Sequence, residues 1–207
     1  MYARTTIVRG EPSAVDAGIQ HVQEHTWPAL QGMSGCVGMS MLADRDQGRC
    51  VVTSGWADES AMHASAGAVD DVRRQAVEAM RADTVEVDEW RIAVLHRMRP
   101  TGGSGATRVI WADLPPGSAE ATVDAFRLSL LSQLEDLPGF CSISMLMDAA
   151  ERRGVTAVTY ASRDAMHQAS GPATALRESF SRSVGMVITE VAEFDLVLAH
   201  LRVPEMA

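Results

Sequence analysis

The sequence is one unit written twice. Shifted against itself by 104 residues without a gap, Gly35-Cys36-Val37-Gly38-Met39-Ser40-Met41-Leu42-Ala43-Asp44 falls on Gly139-Phe140-Cys141-Ser142-Ile143-Ser144-Met145-Leu146-Met147-Asp148. The same register lays Ala61-Met62-His63 on Ala165-Met166-His167, Pro12 on Pro116, Leu30 on Leu134, Trp56 on Tyr160, and Gly67 on Gly171. It also lays Arg73 on Arg177, Glu89-Trp90 on Glu193-Phe194, and His96 on His200. Apolar pattern, turn glycines and rare residues agreeing at one offset mean a tandem duplication, so the fold must be a pair of like halves. The predicted division is 1–99, a linker at 100–106, and 107–207. Pro100-Thr101-Gly102-Gly103-Ser104-Gly105-Ala106 has the composition of a flexible connector.

Each copy reads β-α-β-β-α-β. A strand at Ala3 to Arg9 (Thr107 to Asp113) precedes a helix opened by Pro12 or Pro116, with Val15, Ile19, Val22, Thr26 and Leu30 at helical spacing and an end near Gly32. Strands at Val37 to Ala43 and Arg49 to Trp56 flank a hairpin connection through Asp44 and Gly48. Asp58 and Ser162 are N-cap residues for the next helix, which runs through Val69, Val72, Ala76 and Met80, or Ala173, Leu176, Phe180 and Val184. Long strands at Val85 to Met98 and Val187 to Arg202 close the units. The fold class is therefore α+β: two tandem ferredoxin-like βαββαβ units. Strand two is apolar or small on both sides (Val37, Met39, Met41 against Cys36, Gly38, Ser40), so both sheet faces are expected to be covered. The sister sheet is the natural cover, which predicts an intramolecular pseudo-dimeric α/β barrel.

Composition removes several function classes. All 18 basic residues are Arg, and the chain contains neither Lys nor Asn, as a GC-rich genome of actinobacterial type would favour. Without Lys there is no Schiff-base lysine and no Lys-dependent phosphate loop. A net charge of −9 with no basic stripe argues against nucleic acid as a partner. No leader-like or membrane-length apolar run is present, which points to a cytoplasmic protein with no membrane partner. Cys36, Cys50 and Cys141 form no C-x-x-C pair and sit in apolar runs, as buried small hydrophobes do.

The glycine before strand two (Met33-Ser34-Gly35-Cys36, Leu137-Pro138-Gly139-Phe140), the aromatic ending strand three, and Trp56-Ala57-Asp58-Glu59-Ser60-Ala61-Met62-His63 resemble the antibiotic biosynthesis monooxygenase (ABM) domain of the dimeric α/β-barrel superfamily. The resemblance covers both copies. It implies a pseudo-dimer within one chain, with further pairing of whole chains left open, and ligand sites between the helices and the sheet of each unit. It also implies cofactor-independent oxygenation of a small apolar phenol or quinol, which needs a base, an anion holder and an apolar chamber. By position these are His63 and His167 as catalytic bases, Trp56 and Tyr160 as walls or donors, Arg4 and Arg108 as anion holders, and Met62 and Met166 in an adaptable lining. No cofactor and no metal are expected. The bland reading of the arginines is a solvated charge on an edge strand, and that of the histidines a surface residue. The haem-degrading branch of the superfamily is set aside, because its Asn has no counterpart here. The alternative to an enzyme is a barrel, stress-related or otherwise, that binds a small ligand without chemistry.

Three other constellations stand out. His21-Val22-Gln23-Glu24-His25 matches the H-x-x-E-H zinc signature, but the repeat places no ligands at Ala125, Leu128 and Ser129. His96 and His200 recur near the ends of the last strands and could form a paired site. Glu89 and Glu193 recur beside an aromatic, as either buried hydrogen-bonding groups or outward charges.

Overall fold

The computed structural model describes residues 1–101 and 104–201. Its strands are β1 (Tyr2–Gly10), β2 (Cys36–Asp44), β3 (Arg49–Trp56), β4 (Ala82–Arg97), β5 (Ala106–Asp113), β6 (Phe140–Met147), β7 (Arg153–Tyr160) and β8 (Val187–Leu201). They hydrogen-bond in the order β1-β3-β2-β8-β5-β7-β6-β4, which closes on itself as an eight-stranded antiparallel barrel. The expected strands are all present. Ala106 already belongs to β5, while Gly102, Gly103 and Arg202 lie outside the described residues.

By contacts the chain forms two compact units. One comprises Met1–Trp90 and the stretch from Leu196, and the other Arg91–Asp195. Each thus takes the last half-strand of the other copy's sequence, a division that departs from the repeat boundary only at β4 and β8.

In the first unit a 3-10 turn at Pro12–Ala14 leads into α1 (Val15–His21), a π-helical turn at Val22–Thr26 and α2 (Trp27–Gln31). The stripe Val15, Ile19, Val22, Thr26 and Leu30 is buried throughout. After β3, the Asp58 carboxylate accepts from the Ala61 amide at 2.8 Å and caps α3 (Glu59–Ala64), followed by α4 (Ala66–Ala79).

The second unit repeats this with α5 (Ala119–Ala125), a π turn at Phe126–Leu130, α6 (Leu131–Glu135), α7 (Arg163–Gln168) and α8 (Ser170–Val184). Ser162 caps α7 through the Ala165 amide at 3.1 Å. Even irregularities recur at the repeat offset. The ladder to β3 shifts between Cys36 and Gly38, and that to β7 between Phe140 and Ser142. Such shared bulges are inherited features of the unit, because each one re-aims the strand that follows.

Each sheet is buried on both faces, as the strand pattern requires. Met39, Met41 and Trp56 pack with the helices in the first unit, while Leu42, paired with Val51, is buried on the other face. Leu146, paired with Val155, does the same in the second.

Candidate functional site

A three-member polar cluster recurs in both units. Arg4 enters from β1, which is flanked by β3 and β4 and is no edge, so the reading of Arg4 as a solvated charge is corrected: it is only 4% exposed. Its Nη2 donates to Glu89 Oε1 at 2.7 Å and to the Met62 carbonyl at 2.9 Å, and its Nη1 donates to Ser65 Oγ at 3.3 Å. Glu89 Oε2 in turn meets His63 Nε2 at 3.1 Å. In the second unit Arg108, also 4% exposed, donates from Nη2 to Glu193 Oε1 at 2.6 Å and to Ser170 Oγ at 2.7 Å, and His167 approaches Glu193 at 3.4 Å. A buried guanidinium must be paired to be tolerated, and the carboxylate on the last strand supplies that partner. Both carboxylates sit below their ordinary pKa. Burial pushes each upward, but hydrogen bonding and charge from Arg4 or Arg108, with the histidine adding, outweigh it.

Beside each arginine, between the helices and the sheet of its own unit, lies a cavity with about 540 Å³ of empty space including its open mouth. Ten of the fourteen wall positions of each cavity correspond at the repeat offset. Arg4, Leu30 and Arg73 line the first, and Arg108, Leu134 and Arg177 the second. The π turns contribute Val22 and Thr26 to one, Phe126 and Leu130 to the other. π turns gather at functional sites because the extra residue per turn swings side chains out of helical register.

The chemistry of the two walls differs. In the first unit Arg73 is held by Asp70 at 2.5 Å and donates to Thr6 Oγ1 at 3.2 Å. In the second, the position of Asp70 is Thr174, whose hydroxyl accepts from Arg177 at 3.2 Å. Burial, then the like charge of Arg108, lowers the Arg177 pKa, so the two guanidiniums feel one another; Glu178 and Tyr160 act in the opposite sense. Burial raises the Tyr160 pKa against the pull of Arg108 and Arg177. Arg108 Nη1 is buried without a hydrogen-bond partner.

Of the residues expected at the site, Arg4, Arg108 and Tyr160 line a cavity. Trp56 does not; it is wholly buried in the core and donates from Nε1 to Ser54 Oγ at 3.0 Å. Met62 and Met166 are buried and contribute their carbonyls to the arginines in place of a thioether lining. His63 and His167 are 57% and 55% exposed in their side chains, and neither cavity wall contains an imidazole or a carboxylate. Sequence reasoning noticed Arg73 and Arg177 as a repeat pair without placing them at the site. The signal was there, since each is a charge recurring within an otherwise apolar helix stripe.

His96 meets Glu135 at 2.7 Å and His200 stacks on Trp27 at 4.8 Å, so each has its own partner. His21 and His25 stack on one another across the π turn. Among the described residues no group of three or more His, Cys, Asp or Glu is placed to hold a metal ion. Burial raises all three thiol pKa values, that of Cys50 to about 12; Cys50 and Cys141 are buried as expected, whereas Cys36 is half-buried. No helix among the described residues is long and apolar enough to cross a membrane.

No model of a known protein family matches the sequence. The Mycobacterium tuberculosis protein Rv2558, itself uncharacterized, is 42% identical over the whole chain, which spans 87% of that protein. Among solved structures, a putative monooxygenase from Lactobacillus acidophilus superposes with a TM-score of 0.71 over 97% of this chain and 96% of its own, at 12% identity. An anthrone oxidase-like protein does so with a TM-score of 0.67 over 100% and 95%, at 13% identity. At such identities these two show the fold. The chain therefore belongs to the family of Rv2558 and has the fold of these two solved structures.

Proposed function

We propose that the protein is a monooxygenase-like enzyme that takes a small apolar phenol or quinol into the cavity of the second unit and oxidises it with O₂. The observation that carries this reading is Arg108, a buried guanidinium with one unpartnered nitrogen beside Tyr160 in a wall that is apolar apart from these two, Thr156 and Arg177. The positive charges of Arg108 and Arg177 favour the phenolate over the phenol, so an acidic substrate ionises on binding without a base in the wall. The electron-rich anion then reacts with O₂. For an anthrone-type substrate one oxygen atom becomes the new ring carbonyl, and the other leaves as water with the two ring hydrogens; the substrate supplies all four electrons. Tyr160 donates to the developing oxyanion, and His167 acts through Glu193 as a positioning residue for Arg108. Oxygen uptake by metal-stripped protein with a panel of quinols and anthrones tests this. Turnover in the wild type that falls at least tenfold in Arg108→Gln, with a smaller loss in Tyr160→Phe, is expected. No uptake above buffer sinks the enzyme reading.

A second reading has its own support. Because neither wall offers an imidazole or a carboxylate, a binding protein without chemistry fits the same cavities. Stoichiometric binding with unchanged ligand recovered after aerobic incubation is its signature.

A further inference from the structure

The two cavities share a backbone frame, but their charges do not balance alike. In the first unit each wall arginine has a carboxylate: Arg4 has Glu89 at 2.7 Å and Arg73 has Asp70 at 2.5 Å. The Arg4 guanidinium is engaged at Nε, Nη1 and Nη2. In the second unit Arg108 has Glu193 at 2.6 Å, but Arg177 donates to the Thr174 hydroxyl, since the repeat carries Thr where the first copy carries Asp. The neighbouring Glu178 pairs with Arg182 at 3.9 Å. The second cavity therefore lacks the carboxylate contact that Arg73 has in the first, with Glu178 acting on Arg177 through its charge alone, and Arg108 Nη1 lacks an acceptor there. A buried donor left unpaired is costly, and more so when charged, which an incoming anion relieves.

We infer that the duplicated cavities have divided their ligands by charge: the second takes an apolar molecule bearing one anionic oxygen group, carboxylate or phenolate, on Arg108 Nη1 and Arg177, and the first takes only neutral apolar ligands. The inference rests on the cavity assignment of the proposed function and not on oxygen chemistry, so a failure of turnover leaves it standing. The divergence elsewhere in the walls runs the same way. Ser54, Thr6 and Thr26 offer the first cavity neutral hydroxyls, where the second has Val158, Ile110 and Leu130. The second cavity has apolar side chains at those three positions and keeps the hydroxyls of Thr156 and Tyr160.

Calorimetry on the whole chain with naphthalene-2-carboxylate and its neutral isostere 2-naphthamide tests it. The carboxylate should bind once per chain, at least tenfold tighter than the amide. Thr174→Asp, which installs the first unit's carboxylate at a half-buried helix position, should remove that preference, and Arg73→Gln should leave it intact. A phenol with a coloured anion, 4-nitrophenol, covers the phenolate source: its phenolate band should appear at lower pH with protein than without, and Thr174→Asp should cancel the shift. Equal affinity for carboxylate and amide, no carboxylate binding at millimolar concentration, or a preference that survives Thr174→Asp would each overturn the inference. Circular dichroism identical to wild type ensures that Thr174→Asp reports on charge and not on folding.

Discussion

The two units spend the same aromatic position differently. Trp56 ends β3 with its indole wholly inside the core and its Nε1 hydrogen on Ser54. Tyr160 ends β7 at the matching place, but Val158 stands where Ser54 would, and the smaller ring borders the cavity. Ala76 of the first unit becomes Phe180 in the second, packed edge-on against Phe126 at 6.0 Å. A duplicated backbone thus keeps its ladder, bulge and caps while a few side chains decide which ring is enclosed in the core and which borders a cavity.

Truncation at that position sharpens the difference most. Trp56→Ala is expected to cost about 3–5 kcal/mol, the range for removing a large buried aromatic, and it also strips Ser54 of its donor. Tyr160→Ala should cost clearly less, because its ring already borders empty space and fewer packed atoms lose neighbours. Chemical denaturation of both variants measures this; equal losses would mean that the two rings play one structural role. The next largest effect should instead be shared. Gly35 and Gly139 have φ of +77° and +69°, and a Cβ on either would stand 2.5 Å from the Cβ of Ala61 or Ala165. Alanine at each should cost more than the ~1–2 kcal/mol of the left-handed backbone alone, and to the same extent in both units. Smaller again, Asp58→Ala and Ser162→Ala should each cost about 1 kcal/mol through loss of the helix cap. A cap effect confined to one unit would break the symmetry that the hydrogen bonds show.

Much of this frame was legible in residues. The apolar stripe from Val15 to Leu30 located the first helix because burial on one face imposes its period. The π turn was harder to see. Val22, Thr26 and Leu30, like Phe126, Leu130 and Leu134, recur every four residues, which drifts off an α-helical face. The wider turn brings all six back to the buried side. The arginines were expected as anion holders, and their burial depends on Glu89 and Glu193, some 85 residues away in sequence. No local pattern encodes that pairing. His63 and His167 looked like bases because they recur beside the site. They recur because each meets the carboxylate that holds the arginine, from the solvent side.

That arrangement sets the smallest expected difference, which lies in acid. Glu89 and Glu193 have folded pKa values below their unfolded ones, so each contributes stability that is present above about pH 4.3 and is lost as pH falls through the lowered folded value. Replacing either by Gln removes the titrating group, so stability at neutral pH should drop while the acid limb below about pH 4.3 becomes flatter. Both side chains are about one-third exposed or more, and solvent screening keeps each effect under about 1 kcal/mol. Glu193, at 32% against 40%, is the less exposed of the two and should give the larger change in slope. Urea unfolding midpoints from pH 7 down to pH 3 for wild type, Glu89→Gln and Glu193→Gln measure it. If the Glu193→Gln profile runs parallel to wild type, the carboxylate does not hold Arg108 in the folded state. The guanidinium would then rest on Ser170 and the Met166 carbonyl, and neither arginine of the second cavity would have a carboxylate holding it.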